Sequence, residues 1–356
     1  MTIKFIGTIL MAAAGIALAN GPARAEVFIP LGAEDRIVIV DPLRDTVIGD
    51  IKRLPQVHGL AGTPDGRLLI AGSYEERPAG GAAPPRPATV GADEHESHHA
   101  VPAPGKTPAG TPVSTLSIIR ASDRAVTRRV DVPGAVHHVA ASPDGRLAAV
   151  THPNQGTISI VDLDSFTVTT TIATGPSPNY GAFSPDGRRL YVSNAGNNTV
   201  SIIDTGPWIV MRNVITGKAP EHIVLSKDGR QLFVNNVKDG TVSVVSTGEA
   251  RVESTIPVGA GLHGIDLSDD EQMLYVAATD DNSLAAIDLQ SGKIRRIALS
   301  PAPYHLTVAR GTGKIYVSSA TEPKLWIIDG KALATRDEIR IGGKGHQIFI
   351  SPQRGE

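Results

Sequence analysis

The sequence predicts an all-β fold, a seven-bladed β-propeller, from a repeated turn, a constant repeat length and the aliphatic composition. Copies of the turn motif "SPDGR" begin at Thr63, Ser142, Ser184, Ser226 and Ser268. Those from Ser142 to Ser268 are 42 residues apart, and two degenerate copies at Ala309 and Ser351 bring the total to seven. Aromatic residues are only 4% of the chain, so its core must be built from small aliphatic side chains, which suits many short strands.

Each repeat is predicted to contain four strands. In the unit that starts at Pro178, "PNYGAFS" is the first strand and "PDG" is a turn in which glycine takes a positive φ. The segments "RRLYVSN", "TVSIIDT" and "WIVMRNVI" are the second, third and fourth strands. Four strands in about 42 residues are typical of one propeller blade.

The two ends of the chain are predicted to share the seventh blade. The segments "VFIPL", "RIVIVDP" and "TVIGDIKRL" supply three strands near the N-terminus without a first strand. The segment "GHQIFIS" supplies a lone first strand at the C-terminus. Pairing them completes the closing blade and removes exposed sheet edges.

Two segments, "RLYVSNAGNNTVSIID" and "QLFVNNVKDGTVSVVS", resemble the YVTN family of seven-bladed β-propeller repeat proteins. This resemblance extends over nearly all of the chain after its first residues, and it implies the propeller fold. The family includes lactonases, haem d1-binding domains and metal-handling propellers. The resemblance therefore does not select one activity.

The first 25 residues are predicted to be a secretory signal peptide, followed by the propeller domain over residues 26–356. Lys4 is the positive n-region, Phe5 to Ala19 the apolar h-region, and Ala25 the last residue before cleavage. We therefore expect a soluble, monomeric periplasmic protein with no membrane span after cleavage. Loss of Lys4 and Arg24 takes the net charge from −2 to −4, which argues against a nucleic-acid partner, and the absence of cysteine excludes thiolate chemistry.

An insert of about residues 75–112 separates the second and third strands of the first full blade. Its composition of Pro, Ala, Gly and charged residues predicts a flexible segment without a core. The strand order places it over the channel mouth where the first strands begin. Its candidate metal-capture residues are Asp93, Glu94, His95, Glu96, His98 and His99.

Histidines recur at two adjacent positions where the first strands begin. The position five residues before the turn motif, the first register, holds His58, His137, Asn179, Glu221, His263, Tyr304 and His346. The next position, the second register, holds Gly59, His138, Tyr180, His222, Gly264, His305 and Gln347. Adjacent strand residues point in opposite directions, so one register is expected to face the channel, and the sequence does not say which.

These histidines predict a transition-metal site. The candidate ligands are His58, His137, His346, His263 and Glu221 of the first register and His138, His222 and His305 of the second. Imidazole ligands favour Zn(II) first and Cu(II) second, and a mature chain with two methionines and no cysteine disfavours Cu(I). The alternative is that histidine belongs to the repeat itself and caps the strand start with a backbone hydrogen bond. His152 is interpreted as a turn residue.

The function predicted from this pattern is a periplasmic Zn(II) or Cu(II) carrier, similar to the propeller metallochaperones that serve zinc importers. Such a protein would bind the metal ion and pass it to a periplasmic metal-binding protein or an importer component. The alternatives are a lactonase-like hydrolase with Glu221 as base, and a haem d1-binding or protein-binding scaffold. Neither register contains an arginine to hold an anionic substrate, which counts against a phosphosugar lactone.

Overall fold

Seven four-stranded antiparallel sheets form a ring in the computed structural model, which describes residues 25–79, 110 and 112–352. The described residues form 28 strands and one short 3-10 helix, Gly32–Glu34. The predicted fold is therefore confirmed, with seven blades. None of the helical residues in these ranges forms a segment long and apolar enough to cross a membrane.

The strands are grouped here by their place in the blade, from the channel outward. The first strands are β4 (Val57–Gly62), β8 (Val139–Ala141), β12 (Pro178–Phe183), β16 (Pro220–Leu225), β20 (Leu262–Leu267), β24 (Pro303–Ala309) and β28 (Phe349–Ile350). The second strands are β1 (Val27–Leu31), β5 (Leu68–Ser73), β9 (Leu147–His152), β13 (Arg189–Asn194), β17 (Gln231–Asn236), β21 (Met273–Ala278) and β25 (Lys314–Ser319). The third strands are β2 (Arg36–Asp41), β6 (Val113–Arg120), β10 (Thr157–Asp162), β14 (Thr199–Asp204), β18 (Thr241–Ser246), β22 (Ser283–Asp288) and β26 (Lys324–Asp329). The fourth strands are β3 (Thr46–Lys52), β7 (Ala125–Pro133), β11 (Thr167–Ala173), β15 (Ile209–Ile215), β19 (Arg251–Pro257), β23 (Ile294–Ala298) and β27 (Ala334–Arg340).

Each first strand contacts the first strand of the next sheet, and the contact between β28 and β4 closes the ring. The second and third strands are almost wholly buried, because each sheet is covered on both faces by its neighbours. Apolar side chains fill the spaces between blades, as where Ile158 and Ile160 pack with Leu190 and Val192. The fourth strands lie outermost and are largely exposed.

The closing blade combines the two ends of the chain in the order β28-β1-β2-β3. Val27 pairs with Ile350 and Phe28 pairs with Phe349. The rings of Phe28 and Phe349 stack with centroids 6.3 Å apart. The closure predicted from the sequence is therefore present.

The repeated turn motif is a structural element. In the second copy Ser142 Oγ donates to Asp144 Oδ1 at 2.6 Å and accepts the backbone N–H of Leu147 at 2.9 Å. Gly145 takes a φ of 70°, which favours glycine. The hydrogen bond from Ser142 and one from the backbone of Arg146 lower the pKa of Asp144. The same serine or threonine to aspartate bond forms in four further copies, which explains why the motif recurs.

The first strands are irregular where they begin. Pairing with the second strand shifts between Pro220 and Ile223 in β16, between Leu262 and Ile265 in β20, and between Pro303 and Leu306 in β24. Each interruption spans the positions of both registers. A local shift of this kind breaks the strict alternation of side chains along a strand, so residues of both registers can approach the same point.

The insert joins β5, which ends at Ser73, to β6, which begins at Val113. Arg77 pairs with Val113 through both backbone groups, and its side chain forms an ion pair with Asp131. The six candidate metal-capture residues of the insert lie outside the described residues, as does nearly all of the predicted signal peptide.

Candidate metal centre

The histidines of the two registers gather at one end of the channel. His58, His137, His138, His222, His263 and His305 are each at most 5% exposed, and His346 is half-buried. Their rings, together with those of Tyr74, Tyr180 and Tyr304, form a nearly continuous series of aromatic contacts around the ring of blades. The sequence-predicted histidines are therefore close together, but they fall into two groups of three with different surroundings, and His138 is separate from both.

His222, His263 and His305 form the first group, the three-histidine cluster. They lie on β16, β20 and β24, which belong to three consecutive blades. One ring nitrogen of each lies within 4.8 Å of the corresponding nitrogens of the other two. Their ring centroids are 4.1 to 4.8 Å apart.

This spacing is close to that of a metal site. Three atoms separated by 4.8 Å lie about 2.8 Å from their common centre. Zinc–imidazole bonds measure about 2.0–2.1 Å, so an inward movement of about 0.8 Å by each side chain would complete three bonds.

The three-histidine cluster draws on both registers, since His263 belongs to the first and His222 and His305 to the second. The pairing shifts at the starts of β16, β20 and β24 explain how residues of opposite predicted direction meet. In the second register β20 carries Gly264 instead of histidine. A β-carbon there would come within 2.6 Å of the Tyr304 carbonyl oxygen, so glycine permits the close approach of β20 to β24.

Burial keeps His305 of the cluster neutral. Burial holds the pKa of His305 well below its ordinary value of 6.5, and the nearby His222 and His346 lower it further. Nε2 of His305 is buried and has no hydrogen-bond partner among the described residues. Neutral imidazole is the form that binds a metal ion, so His305 has no proton to lose before binding at pH 7.

Side chains from the second strands hold the backbone beneath these residues. Ser193 Oγ donates to the Glu221 carbonyl oxygen at 2.5 Å, and Asn235 Nδ2 donates to the His263 carbonyl oxygen at 2.5 Å. Thr151 makes the equivalent bond to Asn179 at 3.0 Å. Sequence reasoning missed these residues, although a polar residue recurs as the penultimate residue of several second strands.

Tyr304 and Glu221 lie beside the cluster. The ring centroid of Tyr304 is 3.8 Å from that of His263 and 4.4 Å from that of His305. Burial, and then the charge of Glu221, raise the pKa of the Tyr304 phenol. The phenol is therefore protonated at neutral pH, and its ring limits the orientations open to His263.

His58, His137 and His346 form the second group, on the closing blade and the two blades that follow it. The ring of His58 lies 4.4 Å from that of His346 and 4.7 Å from that of His137. Nδ1 of His58 bonds to the His137 carbonyl oxygen at 2.8 Å, and Nδ1 of His137 bonds to the Asn179 carbonyl oxygen at 3.2 Å. Such backbone bonds are what the alternative interpretation of the repeated histidine predicts, and they are also common among metal-ligating histidines.

Tyr74, at the base of the insert, covers the second group. Its ring lies 5.2 Å from that of His58 and 6.2 Å from that of His137. Burial and the charge of Glu76 raise its pKa to about 12. No sequence motif marks Tyr74, but it directly follows the second strand β5 and therefore lies at the same end of the channel.

His138 stands apart from both groups. Its Nδ1 faces the backbone N–H of Gly181 at 3.2 Å, and its Nε2 faces the side-chain amide of Gln347 at 2.7 Å. Both ring nitrogens are enclosed by protein groups, which makes His138 the least suited of the candidate ligands. His152 is also separate, since it ends β9 and bonds to the Ala135 carbonyl oxygen and to Ser159 Oγ.

The sequence matches one family model. The family model described as "Choice-of-anchor I domain" matches residues 90–305. No curated protein matches the sequence.

Several solved structures share the fold at low sequence identity. A periplasmic gluconolactonase from Pseudomonas aeruginosa is 17% identical with a TM-score of 0.68, covering 92% of this chain and 99% of its own. A functionally unknown protein from Desulfotomaculum acetoxidans is 14% identical with a TM-score of 0.69, covering 92% of this chain and 98% of its own. Hydrazine synthase from Kuenenia stuttgartiensis is 19% identical with a TM-score of 0.61, covering 77% of each chain. At these identities the comparisons establish the propeller fold alone.

Proposed function

The chain belongs to the choice-of-anchor I domain family, and we propose that it is a transition-metal-binding propeller whose metal ion lies between His222, His263 and His305. The observation that carries this proposal is the convergence of one ring nitrogen from each of three buried histidines within 4.8 Å. Burying three imidazoles this close together carries a desolvation cost, which a bound metal ion would help to offset.

The ligand set favours Zn(II), with Cu(II) second. Three imidazoles leave one tetrahedral position for water or a carboxylate, and zinc commonly binds in this way. Cu(II) also accepts imidazole nitrogen, whereas Cu(I) prefers the sulfur ligands that this chain lacks at the cluster. The buried carboxylate of Glu221, next in sequence to His222, adds negative charge near the bound cation.

We further propose that the protein carries the metal in the periplasm and delivers it to a metal-binding protein or an importer. The predicted signal peptide supports this location, and the predicted insert over the channel mouth supports exchange with a partner. The lactonase alternative draws on structural neighbours that share only the fold, and the three-histidine cluster offers it no specific support.

Metal content and affinity test the proposal. The untagged protein is expected to purify with Zn(II) and to retain it against a competing chelator. Replacing His263 or His305 by Ala should weaken Zn(II) binding by about 100-fold or more, since each loses one of three ligands. His152→Asn is the matched control, because it removes a buried histidine outside the cluster. The proposal is wrong if His263→Ala and His305→Ala fold normally and bind Zn(II) as tightly as the unmodified chain.

A further inference from the structure

We propose that His58, His137 and His346 hold a second metal ion, so that the channel mouth binds two ions on two separate groups of blades. This inference rests on the proposed function, because it assumes that the channel mouth is a metal-binding surface. It concerns a different set of residues, however, and can fail independently. The three side chains come from β4, from the residues just before β8, and from the residues just before β28.

The hydrogen bonds of this group fix the form of two rings. A carbonyl oxygen can only accept, so Nδ1 of His58 carries the hydrogen that it donates to the His137 carbonyl oxygen at 2.8 Å. Nδ1 of His137 likewise donates to the Asn179 carbonyl oxygen at 3.2 Å. In a neutral imidazole the lone pair then resides on Nε2. Metal-ligating histidines usually have this arrangement, in which one nitrogen is anchored to the protein and the other faces the metal.

The rings of this group lie in a row, with His58 between His346 and His137 at centroid separations of 4.4 and 4.7 Å. Among the described residues, one ring nitrogen from each of three side chains lies within 4.8 Å of the other two in the three-histidine cluster alone, so the second group has to close further around an ion than the cluster does. His58 is 3% exposed and His137 is 4% exposed, so bulk water is largely excluded from both side chains. Two anchored and desolvated imidazoles with a third beside them provide three ligands on one side of the channel.

The residues at the same position in other blades indicate that the fold does not require histidine there. The same position in other blades carries Asn179, Glu221 and Tyr304, and all of these lie in first strands paired within complete sheets. A side chain that only caps the strand start therefore need not be histidine. Three histidines on three successive blades instead bring one kind of ligand together.

The two groups are adjacent but distinct. Their nearest members, His305 and His346, have ring centroids 6.3 Å apart. Two metal ions that share bridging ligands lie about 3.5–4 Å apart, and ions held by separate groups of rings would lie farther from each other. Two dications at one channel mouth repel one another, so the second ion is expected to bind more weakly than the first.

Zn(II) stoichiometry of paired variants tests this inference. All proteins carry His95→Ala, His98→Ala and His99→Ala, so that the insert does not contribute. One variant adds His58→Asn and His137→Asn, in which the amide Nδ2–H can replace the Nδ1–H donor while the Nε2 ligand is lost. The other adds His263→Asn and His305→Asn. We expect two equivalents in the parent protein, one in each variant and none when the changes are combined.

Each alternative result separates the two proposals. A single equivalent that disappears only with His263→Asn and His305→Asn overturns the second site and leaves the proposed function intact. A single equivalent that disappears only with His58→Asn and His137→Asn overturns the three-histidine cluster as the metal site and supports the present group. No bound Zn(II) overturns both. If a variant does not fold, anomalous diffraction at the zinc edge from the loaded parent protein decides the question, because a peak is expected at each group.

Discussion

The side-chain amide nitrogen of Gln347 lies 2.7 Å from Nε2 of His138. Gln347 belongs to the closing blade and His138 to the blade of β8, so the contact reaches past the blade of β4 that lies between them. Gln347 Oε1 also accepts the backbone N–H of Leu60 at 2.9 Å, so one glutamine contacts three blades. Burial, and then the charges of His222 and His137, hold the pKa of His138 well below its ordinary value. His138 is therefore neutral and enclosed, and the bond between Gln347 and Leu60 links the closing blade to the next one.

Gln347→Ala should destabilise the fold without weakening metal binding. The change leaves the buried Leu60 N–H without its acceptor, and we expect a loss of about 1–3 kcal/mol in the free energy of unfolding. Denaturant unfolding measures the loss, and a Zn(II) competition titration measures the affinity. Gln231→Ala, at an exposed position of β17, is the control. A large loss of metal affinity in folded Gln347→Ala would show that His138 belongs to the metal site.

The repeat made the fold predictable, but it did not predict how the site is assembled. A constant 42-residue interval and complementary chain ends defined the blades, because each blade follows the same local rules. The meeting of His222 with His263 depends on pairing shifts at the starts of β16 and β20, which strict side-chain alternation does not include. Tyr74 has no counterpart in the repeat and was missed for that reason.

We expect substitutions at Gly62 and Phe349 to have coupled effects on stability, because the two residues are in contact where the closing blade meets the blade of β4. A β-carbon on Gly62 would overlap the ring of Phe349, so Gly62→Ala should cost about 1–3 kcal/mol through overpacking. In a Phe349→Ala background the space is open, and Gly62→Ala should cost at least about 1 kcal/mol less. Denaturant unfolding of the four proteins measures this difference. Gly248→Ala is the control, because a β-carbon there meets nothing within 4 Å. Equal costs in both backgrounds would show that β28 does not pack as described.

We expect the burial of His152 to make the folded protein less stable in acid. Burial lowers its pKa to about 4, against 6.5 for the ordinary side chain. Between these values the unfolded chain binds more protons than the folded chain, so stability falls as the pH decreases through this window. The contribution of His152 should fall by about 2 kcal/mol between pH 7 and pH 5.

His152→Asn is the matched variant for this prediction. Asn194 and Asn236 end the equivalent strands β13 and β17, and each amide bonds to a serine at 2.9 Å, as His152 does. The variant should therefore fold and lose about 2 kcal/mol less than the parent between pH 7 and pH 5. Denaturant unfolding at both pH values measures the difference. Identical losses would show that His152 does not titrate in this range.

Asn235 is predicted to position His263. Its amide donates to the His263 carbonyl oxygen at 2.5 Å, and Ala277 occupies the equivalent place in the next blade, so alanine is compatible with the fold. Asn235→Ala should weaken Zn(II) binding by up to about 10-fold, since it removes one hydrogen bond, worth about 1 kcal/mol, that fixes the backbone carrying His263. Asn236→Ala is the control, because Asn236 bonds to Thr241 and Ser243 and has no bond to the cluster. Equal metal affinities in the two variants would exclude this role.

The insert is predicted to affect the rate of metal binding more than its equilibrium. The sequence between Asp93 and His99 contains three histidines and three acids, and we expect its negative charge to raise the local cation concentration. The insert follows Tyr74, whose ring lies 5.2 Å from that of His58. Deleting residues 79–109 leaves the pairing of Arg77 with Val113 and the ion pair with Asp131 in place, so the blade should remain intact. Stopped-flow mixing should show slower Zn(II) uptake, and equilibrium competition should show little change in affinity. A collapse of equilibrium affinity would make the insert part of the primary site, and no change in either quantity would leave it without a role in metal binding.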